Sequence, residues 1–305
     1  MLRYILTASV LKCFSMGSWM PRLYRKLGNV GGGRRRGSGP IPTYYLERVR
    51  RMLRLQKQYS LVHGGDRILE LGTGWMHWEA LTTRLFYDTQ AFLFDVWDNR
   101  QLNGLKNYAA QLEAILSNHG FDVSPKELIR ARTIIQQISK TNSFDELYRL
   151  LNFTYYVNSS GSLEEIPSHL FKLVVSGGVL EHVKREAVPS LLAEMHRVLE
   201  PGGWALHSVD TQDHLSHYDP TVSKKLYLTC SEWKWKYLYE NSIQYVNRIQ
   251  RGEWLDLFRT AGFILVDEDS WNVDIGPLKL AARYANMDRR DLECGVLRVL
   301  FRKAI

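Results

Sequence analysis

Cysteine is scarce in this chain: Cys13, Cys230 and Cys294 are the only three among 305 residues, and no two form a Cys-x-x-Cys pair. An odd number without paired spacing excludes a disulfide framework or a thiolate zinc cluster, and it fits a reducing cytosol. Long apolar runs are missing as well. Residues 4–20 are fairly apolar, but Lys12 interrupts them and they fall short of the ~20 residues a spanning helix needs. Without a small-residue cleavage site the stretch does not read as a secretory signal. An amphipathic helix resting on a membrane or on the main domain stays open. Acids are nearly absent at the start: in residues 1–60, Glu47 stands against 13 Lys and Arg, a charge of +12. The remainder carries 27 bases and 31 acids, so the net +8 of the chain belongs to its N-terminal arm. Such an arm suits an anionic surface, phospholipid or nucleic acid, or else is a solvated extension with no partner.

Residues 28–40, GNVGGGRRRGSGP, lack the Lys-Ser/Thr ending of a phosphate-binding loop and read as a flexible linker. Residues 1–40 are therefore expected to be a basic arm, and 41–305 the working domain. Apolar residues Leu46, Val49, Met52, Leu53 and Leu55 recur at helical spacing just after the linker. From residue 67 strands and helices alternate: RILELG, WMHWEALTTRLF, AFLFDVWD, FTYYVNS, FKLVVSG, VPSLLAEMHRVLE, WALHSVD, then GFILVDEDSW and VLRVLFRKA. The pattern predicts an α/β fold, a doubly wound, mostly parallel seven-stranded Rossmann-like sheet. Two intervals, 99–152 and 211–260, are too long for simple connections and are expected to be insertions forming a lid or acceptor site.

The first strand ends in Gly72-Thr73-Gly74 with Glu70 just before it. Two glycines in three residues permit positive φ and leave no Cβ in the way of a ligand. A strand entering such a turn before a helix is where an α/β fold seats a nucleotide-like cofactor, although a plain tight turn reads the same way.

Four pieces follow in order: ELGTG after the first strand, Asp95 at the end of the second, VVSGGVLEHV at the fourth, and HRVLEPGGWALHSVD leading into the fifth. Together they resemble the class I S-adenosylmethionine-dependent methyltransferases, in particular the branch acting on small molecules and cell-envelope glycans, over about residues 62–305. The resemblance implies S-adenosylmethionine as cofactor. Glu70 would serve its amino-acid end, Gly72, Thr73 and Gly74 its close approach, and Asp95 its ribose hydroxyls, with Asp98 as runner-up. Asn158 and Ser159 stand where an adenine contact is often found. Ser176 and Gly177 would line the reacting centre. Two departures stand out: Trp75 and Met76 occupy the place of a further glycine, and Lys172 stands where an acid often opens the fourth strand.

Methyl transfer to an alcohol also needs a base or a metal for the acceptor's proton. Residues 207–219, HSVDTQDHLSHYD, hold His207, Asp210, Asp213, His214, His217 and Asp219. They read as turn-capping residues, as a base (His214 or His207 partnered by Asp210 or Asp213), or as a site where Asp210, Asp213 and a histidine hold a divalent metal. The expectation adopted is the base, with no metal. Glu181-His182 resembles a recurrent pair of the same branch and equally suits a helix cap. Alternating Trp233, Trp235, Tyr237 and Tyr239 between Lys234 and Lys236 suit either a core or a ring- or acyl-bearing acceptor. The expected protein is a cytoplasmic, membrane-peripheral O-methyltransferase acting on a small molecule, sugar or glycolipid. Nucleic acid is disfavoured because the fourth strand ends in SGGV and not in a Pro-Pro-aromatic motif. The alternatives are an RNA methyltransferase and a cofactor-binding homologue without catalysis.

Overall fold

A computed structural model describes residues 1–15, 17, 19–118 and 121–304. Seven strands form one sheet in the order β3-β2-β1-β4-β5-β7-β6. They are β1 (Arg67–Leu71), β2 (Gln90–Asp95), β3 (Phe153–Val157), β4 (Phe171–Gly177), β5 (Leu199–Asp210), β6 (Phe263–Asn272) and β7 (Cys294–Lys303). β1 pairs in parallel with both β2 and β4, and β2 with β3. The chain thus steps outward from β1 to β3 and returns to the other flank of β1 as β4. The expected doubly wound α/β fold is the one observed. Its switch point lies between the carboxyl ends of β1 and β4, where such sheets bind ligands. In β1 Ile68, Leu69 and Leu71 are buried, and in β4 Phe171, Leu173, Val174 and Val175. Near-continuous burial is what a central parallel strand, covered on both faces, requires. Edge strand β6 buries only Phe263 fully.

The helices are α1 (Leu2–Ser15), α2 (Met20–Ser38), α3 (Thr43–Tyr59), α4 (Trp78–Phe86), α5 (Leu102–Asn118), α6 (Pro125–Lys140), α7 (Phe144–Leu151), α8 (Val188–Val198), α9 (Glu232–Lys234), α10 (Arg251–Thr260) and α11 (Arg289–Glu293). The interval 99–152 is helical, as its apolar spacing predicts. Its α6 opens on a capping box in which Glu127 N–H donates to Ser124 Oγ (3.3 Å) and Ser124 N–H to Glu127 Oε2 (2.7 Å).

Contacts divide the chain into two compact units, one of Met1–Leu27, Gly177–His196 and His207–Arg302, the other of Gly28–Ser176, Arg197–Leu206 and Lys303–Ile305. In the first, α1 buries Tyr4, Ala8 and Leu11 in a cluster with Leu215, Tyr227 and Trp235 of the 211–260 insertion. The Tyr4 hydroxyl donates to buried Asp213 (2.8 Å). In the second, the glycine-rich stretch is not the flexible linker expected from sequence but the end of α2. Asn107 donates to the carbonyls of Arg36 (2.8 Å) and Gly39 (2.9 Å), and Gln111 to that of Gly39 (2.9 Å). These α5 side chains satisfy carbonyls that a helix end leaves open, which offsets glycine's poor helix propensity.

Candidate functional site

The turn after β1 has the backbone its glycines predict. Gly72 and Gly74 take φ of 61° and 60°. The N–H groups of Gly72 and Thr73 donate to the Phe94 carbonyl (2.8 and 3.2 Å), tying the turn to the end of β2. A Cβ built on Gly74 would come no nearer to a neighbouring atom than 3.9 Å, at the Gly72 carbonyl, so the bend is open on that side. Asp95 closes the arrangement: its Oδ2 accepts from Gly74 N–H (2.9 Å) and its Oδ1 from Val96 N–H (2.7 Å). Burial raises its pKa, against the lowering effect of those backbone donors. The bend and the β2 acid are thus brought together.

Glu70, expected to serve the cofactor's amino-acid end, reaches the start of α4. It is buried, and its Oε2 accepts from Ala80 N–H (2.8 Å) in the first turn of α4. Burial and then the neighbouring Glu79 charge hold its carboxyl well above the usual range. Glu79 itself is ion-paired to Arg48. Ser159 is exposed in the turn after β3, while Asn158 accepts from the Ser160 N–H (3.1 Å) and hydroxyl (2.8 Å) to shape that turn. Ser176 is buried at the end of β4, followed by half-buried Gly177.

His77 carried no signal in the sequence, yet it is central to the bend. It takes a left-handed φ of 53° before α4 and is fully buried. Its Nδ1 lies 2.5 Å from the Thr73 hydroxyl and its Nε2 2.9 Å from the Tyr148 hydroxyl. Burial, then the Arg100 charge, lowers its pKa to about 3, so the ring is neutral and bridges turn and α7. Thr73 therefore spends its hydroxyl inside the protein. Met76 is buried, and the Trp75 ring packs against Tyr45 and Tyr108 with the Arg36 guanidinium 4.0 Å from its centroid.

The second constellation follows β4 and β5. His214 Nε2 lies 3.6 Å from Asp210 Oδ2. The His214 ring stacks on His217 at 5.4 Å and meets His182 edge-on at 5.0 Å. Burial disfavours a charged His214, but Asp210, Glu181 and Asp213 outweigh it and raise its pKa. Glu181 is buried with its Oε2 unpartnered among the described residues. Burial and then the Asp210 charge push its carboxyl up to about 8, so it is largely protonated at neutral pH. His182 is exposed and its Nδ1 lies 2.7 Å from the Tyr245 carbonyl. One ligand atom each from Glu181, His182 and His214 fall within 4.8 Å of one another, close enough for a shared divalent ion. Asp213 is buried and accepts from Tyr4, Leu215 and Tyr227. His207, expected as an alternative base, is 1% exposed with its ring 5.5 Å from Phe258, and burial lowers its pKa to about 3.

A doubly wound sheet with a glycine bend at its switch point and an acid on the next strand defines the class of Rossmann-like, nucleotide-cofactor proteins. The profile of the methyltransferase-domain family matches residues 41–268, more than half of the chain. The chain therefore belongs to that family and is an S-adenosylmethionine-dependent methyltransferase. Among curated proteins none matches it in sequence. Solved structures similar to it include an S-adenosylmethionine-dependent methyltransferase of Methanosarcina mazei, 14% identical over 82% of this chain and 97% of that one, with a TM-score of 0.45. Another, from Mesorhizobium loti, is 15% identical over 82% and 98% (TM-score 0.41). A chain of the complex between the Haloferax volcanii Trm112 methyltransferase activator and a methyltransferase is 17% identical over 82% and 92% (TM-score 0.41). The family assignment rests on the profile.

Proposed function

We propose that this methyltransferase places its methyl group on a hydroxyl oxygen of a small-molecule, sugar or glycolipid acceptor. The observation that carries the choice of oxygen is the Asp210–His214 pair with Glu181 beside it. A hydroxyl must lose its proton as it attacks, and an imidazole held by a carboxylate is suited to take it. S-adenosylmethionine supplies a methyl already activated by its sulfonium. In transfer the acceptor oxygen would bond to that carbon as the carbon–sulfur bond breaks and S-adenosylhomocysteine leaves, while His214 would take the hydroxyl proton and pass it to solvent.

On the donor side, Gly72, Thr73 and Gly74 offer bare backbone. Asp95 accepts the ribose hydroxyls in place of part of its bonding to the bend. We assign Ser159 to the adenine, and Ser176 and Gly177 to the reacting centre. Glu70 acts from behind, by fixing the start of α4. The positive φ of both glycines and the carboxylate on the bend's own N–H support this fit. Free Cys13, Cys230 and Cys294 support a cytoplasmic setting.

The test incubates purified protein with labelled S-adenosylmethionine and fractionated cell extract, and identifies the labelled product by mass. Label on an oxygen is expected, and His214→Ala should slow transfer by about 100-fold or more with cofactor affinity unchanged. Wild-type turnover by that variant removes His214 as base. Label on RNA, or saturable cofactor binding with no turnover, replaces the proposal with one of its alternatives. A second reading is favoured by the Glu181–His182–His214 grouping: a divalent ion that lowers the hydroxyl pKa. Dialysis against a chelator separates the two, since turnover lost and then restored by zinc or manganese requires the ion.

A further inference from the structure

Helix α1 is apolar on two sides, and only one of them is covered. Its inner line, Tyr4, Ala8 and Leu11, is buried against the insertion. Its outer line, Leu2, Leu6 and Val10, with Ile5 beside it, is exposed, Leu2 by 72%. A contiguous exposed apolar line of this kind marks an interaction surface, so the outer line calls for a partner. Inner packing and the Tyr4–Asp213 bond prevent it from rotating inward.

The insertion extends this apolar surface. Trp235 is buried, but Trp233 (67% exposed) and Tyr237 point outward and pair with each other at 5.4 Å. Lys12 of α1 donates to the carbonyl of Lys236 (3.0 Å), which joins the two elements edge to edge. Exposed Arg3, Lys234 and Lys236 border the patch. The nearby Glu232 carboxylate is already matched by Arg248 (2.7 Å) and Arg283 (3.1 Å), so the border is cationic. No helix among the described residues is long and apolar enough to cross a membrane.

We propose that the outer face of α1, with Trp233 and Tyr237, is a docking surface for the headgroup region of an anionic lipid bilayer. Aliphatic side chains backed by Trp and Tyr and rimmed by Arg and Lys match the depth profile of a bilayer interface. The histidine turn packs against the inner line of α1, so the outer face lies away from it, and the proposal does not depend on which acceptor is methylated.

Vesicle flotation of the full chain tests this. The wild type should float with vesicles of phosphatidylcholine plus phosphatidylglycerol and much less with phosphatidylcholine alone. Leu6→Asp/Val10→Asp should reduce flotation by about tenfold or more, because two charges would enter the apolar layer. Lys234→Glu/Lys236→Glu should erase the preference for the anionic lipid. S-adenosylmethionine affinity equal to wild type confirms folding of each variant, and Trp233→Ala serves if the aspartate pair does not fold. Absence of flotation by the wild type, or flotation of the aspartate or Trp233→Ala variant equal to it, overturns the proposal. So does a wild-type dimer that the aspartate variant dissociates without any lipid binding, which would assign the face to a second copy of the chain.

Discussion

Asp95 holds the bend with the same carboxylate proposed to meet the ribose, so its loss acts on both. Asp95→Ala is expected to weaken S-adenosylmethionine binding by at least about tenfold, or ~1.4 kcal/mol, in calorimetric titration. Gly72→Trp, which forces a side chain onto a φ of 61°, should abolish it. Unchanged affinity in both variants would remove the cofactor assignment. Lys225 offers a second measurement at this scale. It is fully buried and donates to Thr211 Oγ1 (3.0 Å), Gln250 Oε1 (3.1 Å) and the Tyr227 hydroxyl (3.3 Å). Burial lowers its pKa from 10.5 to about 7. Between those values the unfolded chain binds the proton that the folded chain has lost, so this group makes stability rise with pH. The slope it adds is at most ~1.4 kcal/mol per pH unit. Lys225→Met should flatten the dependence of unfolding free energy on pH between pH 7 and 10, and an unaltered slope would mean that Lys225 stays charged.

Among the elements, α1 stands out because a buried polar contact, Tyr4 to Asp213, sits inside its apolar seam. The Tyr4 hydroxyl is one of three donors to Asp213, whose carboxyl burial pushes up to about 6 against the lowering effect of those donors. Tyr4→Phe keeps the ring and removes that donor, and should cost ~1.5–3 kcal/mol in denaturant unfolding. A loss below 0.5 kcal/mol would show that the bond is dispensable. The aromatic insertion was only half legible. Its alternating Trp and Tyr positions do not share one face, because a helical turn puts 233 with 237 and sends 235 inward. Only the tertiary packing of α1 selects which of them is buried.

For the whole molecule, the basic N-terminal region is structural as well as charged. Deleting residues 1–15 would uncover Tyr227, Trp235 and Tyr284 of the cluster that α1 covers. The truncated chain is expected to bind a hydrophobic dye and to aggregate, whereas removal of a loose arm would leave dye binding at the wild-type level. Residues 28–40 read from sequence as a flexible linker, being glycine-rich without a phosphate-loop ending, and their glycines oppose a helix by about 1 kcal/mol each. What overrides them are the Asn107 and Gln111 amides, more than sixty residues away, which no local pattern reveals.

The sequence by itself determined the strand–helix alternation, the glycine bend and the acid that faces it, because each follows from local periodicity or from a backbone angle that glycine tolerates best. It also marked Asp210 and His214, which are neighbours in the chain. Only the tertiary structure decided that Glu181 comes beside Asp210 and His214, that Asp213 accepts from Tyr4, that Glu70 accepts from the start of α4, and that His77 braces the bend. Those outcomes depend on which long-range groups reach a buried polar atom first, and burial sets both the partners and the protonation of such atoms.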